Sequence, residues 1–276
     1  MADAIIVCED LWHVYPGDIL ALQEANLKIN AGEIVGVIGQ NGSGKTTLVK
    51  HFNGLLKPTR GKVRIKGKDT NGMRIQQLAR DVGYVFQNPN HQLFARTVEA
   101  ELEFGPRNLG VSEEEIVERR EKAIEFFKLQ ELRLLHPYRI GFPLRKLVGM
   151  ASIYTMRPAV FILDEPTTGQ DNVTTRTVYR LIRQLRDEGA TVVCVAHDMI
   201  LLAEVVDRMV VLRDARIIAD AKPKEVFSNR ELMQSTHLVP PQVAELSLRL
   251  MTAGKFPGIE LNVSDMVAGL AGRLGK

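Results

Sequence analysis

What this 276-residue sequence lacks excludes several classes of protein. It has only two cysteines, Cys8 and Cys194, each within an apolar run of strand type. That is too few and too scattered for a disulfide framework or a cysteine metal cluster, so two buried thiols in a reducing compartment are expected. No apolar run approaches the roughly 18 residues of a membrane-crossing helix, so any membrane role is expected to be peripheral. The opening stretch Met1 to Asp10 has neither a basic region nor a long apolar core, and no signal peptide is expected there. Charge of one sign is also missing. With 36 Lys and Arg against 33 Asp and Glu, the net charge of +3 selects no class of partner. No internal repeat or low-complexity segment is present. The remaining composition, 45% hydrophobic and 25% charged, is that of a globular chain, and its length suggests one large domain with a smaller appendage.

Against this plain background one stretch stands out: Gly39-Gln40-Asn41-Gly42-Ser43-Gly44-Lys45-Thr46-Thr47. It satisfies G-x-x-x-x-G-K-[ST]. The glycines let successive backbone N–H groups turn inward around an anion, Lys45 supplies a point charge, and the Thr46 hydroxyl is placed for Mg²⁺. The apolar run Ile34 to Ile38 before it reads as a strand, and Thr47 to Leu56 after it as a helix. Strand, loop and helix in that order imply a bound nucleoside triphosphate.

The rest of the chain can be read around this loop. Residues 5 to 38 alternate short apolar runs with turn signals, which predicts antiparallel strands leading into the loop's own strand. Tyr15, just upstream, is placed to stack on a purine base. The row Lys62, Arg64, Lys66 and Lys68 alternates with apolar or small residues; without an aromatic platform it reads as the solvated face of a strand, not a nucleic-acid surface. Val82 to Phe86 is a strand ending at Gln87, whose amide is placed to sense a metal or a water. Residues 88 to 111, rich in Pro, Gly and Asn, read as irregular. Ser112-Glu113-Glu114-Glu115 is a capping box opening a helix with Ile116, Ala123, Ile124 and Phe127 inward. Ala159 to Leu163 is a strand ending in Asp164-Glu165-Pro166. A carboxylate there suits Mg²⁺, and we assign Asp164 to the metal and Glu165 to the attacking water as general base. Residues 172 to 188 form a helix, and Thr191 to Ala196 a buried strand with His197 at its tip, in reach of a γ-phosphate or lytic water. A closing strand pair spans 209 to 219. Beyond Pro223 come short helices, one opened by Pro241 with Val243, Leu246 and Leu250 on one side. The expected units are residues 1–228 and a helical extension, 229–276.

These stretches together resemble the ATP-binding subunits of ABC transporters over the whole chain. Tyr15 falls at that family's adenine-stacking aromatic, Gly39 to Thr46 at its Walker A, Gln87 at its Q-loop and Val160 to Glu165 at its Walker B. Gly169-Gln170-Asp171 lies at its D-loop, with Gln170 where Leu is usual, and His197 at its switch histidine. The resemblance implies an α/β P-loop NTPase fold with an antiparallel β subdomain and a helical subdomain, ATP and Mg²⁺ as cofactors, and ATP hydrolysis. Phe86 to Phe94, Thr97-Val98-Glu99 and Phe104-Gly105-Pro106 are similar to the ATPase subunits of energy-coupling factor transporters and related cobalt and nickel importers. So is the tail Pro240 to Leu246, which in that group helps pair two ATPase subunits. This implies a vitamin or transition-metal importer at the cytoplasmic face of the membrane. Its partners would be a second ATPase, a transmembrane coupling protein docked near residues 88–106 and, indirectly, a substrate-binding membrane subunit.

One element departs from the pattern. Where the family has its signature L-S-G-G-Q, this chain reads Ile140-Gly141-Phe142-Pro143-Leu144, and Ser-Gly-Gly occurs nowhere. In the family, one subunit's signature completes the ATP site of the other. Here the Ser hydroxyl is gone, Pro143 has no N–H and Phe142 is bulky. The expectation is a heterodimer with one complete site, built on this chain's own Walker A and completed by a partner with an intact signature. A non-hydrolysing, regulatory ATP-binding subunit is the alternative, against which Glu165 and His197 speak. An ATPase acting on DNA or the ribosome would need insertions that are absent.

Overall fold

The computed structural model describes residues 3–274; residues 1, 2, 275 and 276, the outermost ends of the two expected units, lie outside it. Alternating apolar positions form β1 (Ala4–Tyr15), which turns at Pro16-Gly17-Asp18 into the antiparallel β2 (Ile19–Asn30). The next strand, β3 (Ile34–Gly39), is buried throughout. Helix α1 (Lys45–Phe52) starts two residues before the expected Thr47, because Gly44 at φ 102° has already turned the backbone into it. The basic row is a hairpin, not one strand to Lys68: β4 (Arg60–Ile65) and β5 (Lys68–Asp69) flank Lys66 and Gly67 at φ 49° and 76°. Two successive left-handed residues are what a two-residue hairpin turn of type I′ requires. Arg64 pairs with Glu9 and Lys66 with Asp81 across this face.

After the short α2 (Ile75–Leu78) and β6 (Val82–Val85), the segment expected to be irregular contains a helix, α3 (Val98–Asn108), capped by Thr97, whose side chain accepts from the Ala100 N–H. Gly105-Pro106 reads as a breaker, but tertiary contacts accommodate both residues. Pro106 cannot donate to the Leu102 carbonyl, and the Thr155 hydroxyl does so instead at 2.8 Å. A Cβ on Gly105 would come within 2.5 Å of Met156 Cγ, so glycine is what lets α3 lie against that side chain. In α4 (Glu113–Phe127) the expected inward residues are buried, but only half the capping box forms: Ser112 accepts from the Glu115 N–H, while the Glu115 carboxylate pairs with Arg119. Next come α5 (Phe142–Tyr154), β7 (Val160–Asp164), α6 (Asn172–Asp187) and β8 (Thr191–Val195). After α7 (Met199–Val205), β9 (Arg208–Arg213) and β10 (Arg216–Ala221) form the closing hairpin. The chain ends in α8 (Pro223–Ser228), α9 (Arg230–Thr236), α10 (Gln242–Thr252) and α11 (Val263–Leu274).

Two sheets result, one of order β2-β1-β4-β5 and one of order β10-β9-β3-β8-β7-β6. In the second, β9, β3, β8, β7 and β6 run parallel, so their C-terminal ends share one edge. Period-two alternation divides its residues between two cores. Val35, Val37, Val160, Ile162, Val193 and Val195 face α1 and the antiparallel sheet. Ile34, Ile38, Phe161, Leu163, Val192 and Cys194 face the helices. Cys8 and Cys194 are buried and free, and burial raises both thiols well above their ordinary range. Leu232, Met233, Ala244 and Ile259 of the C-terminal segment join the helix-side core. On α10 the buried residues are Ala244 and Ser247, and Leu246 points outward, 47% exposed. Among the described residues no helix is long and apolar enough to cross a membrane.

Candidate active site

The phosphate loop connects the C-terminal end of β3 to the N-terminus of α1, so its backbone N–H groups and the helix dipole point the same way. Two glycines are sterically required. A Cβ on Gly39 would lie 2.2 Å from the Leu212 carbonyl oxygen, and one on Gly44 2.4 Å from that of Ala21. Lys45 is buried and donates to the carbonyls of Gly39 and Gln40 at 2.9 and 2.8 Å. Burial lowers its pKa against the opposing pull of Glu165 and Asp164. The buried Ser43 hydroxyl has no protein partner.

The strand tips supply the other groups. Alternation along β7 turns Asp164 to the side of Val160 and Ile162, towards α1. There its carboxylate accepts from Thr46 Oγ1 at 3.3 Å and from the Tyr84 hydroxyl at 2.6 Å. Burial pushes Asp164 up in pKa, and those two hydrogen bonds oppose the shift. Glu165 turns away at φ 54°, a left-handed backbone that a residue with a Cβ adopts rarely. Its Oε2 accepts from Thr168 Oγ1 at 2.7 Å, and its Oε1 lies 3.0 Å from His197 Nε2. His197, at the tip of β8, leaves 44% of its side chain exposed. A cavity of about 300 Å³ gathers Asn41, Gly42, Gly44, Lys45, Thr46 and Thr47 with Gln87, Glu165 and His197, so most of the residues expected to act together share one space. Asp164 sits behind Thr46, and Tyr15 stands aside, its hydroxyl 3.2 Å from Thr47 Oγ1. Gly39, Gln40 and Ser43 shape the loop without lining the cavity. Gln40 Nε2 lies 2.5 Å from His237 Nδ1, which ties the loop to the C-terminal segment. A larger groove of about 870 Å³ lies at the opposite ends of β7 and β8, between Arg119, Tyr154 and Glu188, and brings together no comparable set of groups.

Three residues of this constellation carry little or no local signal in the sequence. Tyr84 and Thr168 hold the two carboxylates, and Lys146 donates to the carbonyls of Glu165 and Thr168. Only the threonine pair after Pro166 hints at the second of them.

Beneath the loop, His51 of α1 is fully buried. Its Nδ1 lies 2.7 Å from the Thr47 carbonyl, which can only accept, so Nδ1 carries the proton and Nε2 accepts from His13 Nδ1 at 3.2 Å. This arrangement uses a neutral ring, and burial lowers the His51 pKa to about 4. Between pH about 6.5 and about 4 the unfolded chain takes up a proton that the folded chain refuses. Stability is therefore present above that window and lost as pH falls through it, by about 3 kcal/mol. Urea unfolding of the parent and His51→Leu at pH 7.5 and 5 checks this; the variant is expected to lose most of the pH dependence.

A parallel sheet with a glycine-rich loop between strand and helix, and with acidic and histidine tips on the neighbouring strands, defines a P-loop nucleoside-triphosphate-binding protein. The ABC transporter family model matches residues 22–168, and the chain belongs to that family. It is 42% identical over 96% of its length to a putative ABC transporter ATP-binding protein of Caldanaerobacter subterraneus subsp. tengcongensis, but spans only 46% of that protein. It is 38% identical to the energy-coupling factor transporter ATP-binding protein EcfA of Methanocaldococcus jannaschii, over 88% of both chains. The structure of cbiO1 from Clostridium perfringens, part of the ABC transporter complex cbiONQ, is 33% identical with a TM-score of 0.74, over 88% of this chain and 98% of that one.

Proposed function

We propose that this chain hydrolyses ATP to energise an energy-coupling factor type ABC importer for a vitamin or a transition metal ion. It does so as one half of an ATPase heterodimer, peripheral on the cytoplasmic face of the membrane. The observation that carries this reading is an asymmetry between two ends of the chain's own machinery. On one side Glu165 and His197 stand 3.0 Å apart over the phosphate loop. On the other, α5 begins at Gly141 with no side-chain cap, Pro143 lacks a donor in the first turn, and the Phe142 ring lies against Gly169.

In this reading Asn41 to Thr47 bind the phosphates of ATP, Lys45 neutralises them and Tyr15 faces the base. The Thr46 hydroxyl and Asp164 carboxylate already lie together, an oxygen donor pair that fits Mg²⁺, and Gln87 completes the set. When bound, the ion would balance the charge of the β- and γ-phosphates. Glu165 takes the proton of the attacking water, and His197 orients the carboxylate and the γ-phosphate. The signature of a second ATPase closes the site.

Exposed apolar groups support the remaining partners. Phe94 and Phe104, 59% and 47% exposed, stack edge to face at 4.6 Å within the segment assigned to the membrane coupling protein. Glu101 shapes that loop by accepting from the N–H groups of Phe94 and Ala95. Leu246, Val263 and Val267 are exposed along residues 229–276, the proposed pairing element. Affinity purification of the tagged chain from membranes, followed by mass spectrometry, tests the assembly. A second ATPase with an intact L-S-G-G-Q and a membrane permease are expected, and recovery of this chain alone would overturn the heterodimer.

A further inference from the structure

The blunted helix α5 is tied inward to the active site at two places. Gln92, five residues beyond Gln87, accepts from the Phe86 N–H at 3.2 Å and donates to the Gly149 carbonyl at 2.7 Å and the Ser152 hydroxyl at 3.1 Å. Three and six residues earlier on the same helix than Gly149 and Ser152, Lys146 is 1% exposed. Its ammonium donates to the carbonyl of Glu165 and, at 3.0 Å, to that of Thr168.

We propose that Lys146 is a positioning residue for Glu165: by bridging the carbonyls of Glu165 and Thr168 it holds the left-handed turn that aims the Glu165 carboxylate into the nucleotide cavity. This rests on the reading of Glu165 as the general base. The turn needs such a hold. Glu165 sits at φ 54°, and the turn's own hydrogen bond, from the Thr168 N–H to the Glu165 carbonyl, is a long 3.3 Å. Thr168 in turn donates to the Glu165 carboxylate, so moving residue 168 moves the base. A lysine is a costly way merely to fill space, because a buried ammonium loses its hydration, hydrogen-bonds only to neutral carbonyls, and is only partly compensated by the nearby Glu165 and Asp164 carboxylates. Burial accordingly lowers its pKa to about 8. An apolar side chain would occupy the same volume without that cost, so the cation is explained by what it holds. Since Gln92 fastens the Gln87 segment to the same helix, α5 is the common support of both segments that face the γ-phosphate.

The test uses the assembled complex carrying Lys146→Met, with Glu165→Gln as the reference for chemistry. Misplacing a catalytic group by an ångström costs on the order of 100-fold in rate, and that loss in kcat is expected for Lys146→Met. The KM for ATP should stay within about 3-fold, because the phosphate loop is untouched. A general loss of folded structure would instead lower the amount of active complex and its melting temperature together. Where Lys146→Met fails to assemble, Lys146→Gln, too short to bridge both carbonyls, is read by the same split. A kcat within about 3-fold of the parent, beside an inactive Glu165→Gln, overturns the positioning role alone. Parental turnover by Glu165→Gln overturns the general-base reading and this proposal with it.

Discussion

Glu165→Gln is expected to lower ATP turnover of the assembled transporter by about 10²- to 10⁴-fold, the range that a positioned general base contributes. The substitution keeps the shape of the side chain, so the contact with Thr168 can persist, but an amide cannot take the proton of the attacking water. ATP affinity is expected to hold, since Asn41, Gly42, Gly44, Lys45, Thr46 and Thr47 line the phosphate-loop side of the cavity independently of Glu165. Steady-state phosphate release beside equilibrium ATP binding separates the two quantities. Turnover near the parental rate would move the chemistry to the partner subunit and leave this chain a regulatory binder of ATP.

The second large effect concerns the chain without its partner. On the proposed shared-site reading, the chain alone would pair with a copy carrying the same Gly141-Phe142-Pro143-Leu144 at the start of α5 and its cap, and each of the two sites would lack a hydroxyl and a backbone donor for the γ-phosphate. Losing one donor to a developing charge costs about 10²- to 10³-fold, so turnover below roughly 1% of the heteromeric rate is expected. Rebuilding the segment with Gly141→Ser, Phe142→Gly, Pro143→Gly and Leu144→Gln should then raise the isolated chain's turnover by about 10²-fold. A melting curve of the rebuilt chain guards against damage where Phe142 now lies against Gly169. Brisk, Glu165-dependent turnover by the unmodified chain alone would remove the single-site reading.

The parts of the fold that could be read from the sequence are those whose signal is contiguous. Strands β3, β7 and β8 are buried on both faces and appear as unbroken apolar runs; α6 keeps Val178, Leu181, Ile182 and Leu185 inward at helical spacing before Gly189. In α3 distant residues overrule a local preference. Helix α3 tolerates Gly105-Pro106 only because Met156 and Thr155, some 50 residues on, meet them. The basic row is a local case instead: it reads as one strand, because alternation says nothing about the left-handed pair at Lys66 and Gly67.

The phosphate-loop motif and the polar strand ends Gln87, Asp164, Glu165 and His197 could be read directly from the sequence, because a phosphate loop and a strand end are each built from neighbouring residues. That Tyr84 holds Asp164, that Thr168 and His197 hold the Glu165 carboxylate, and that Lys146 sits beneath its turn emerges only when the chain is folded. Apart from Thr168, those partners come from different strands and helices. The order β3-β8-β7-β6 brings their ends to one edge, and sheet order is set by burial of whole strands, which no local spacing records.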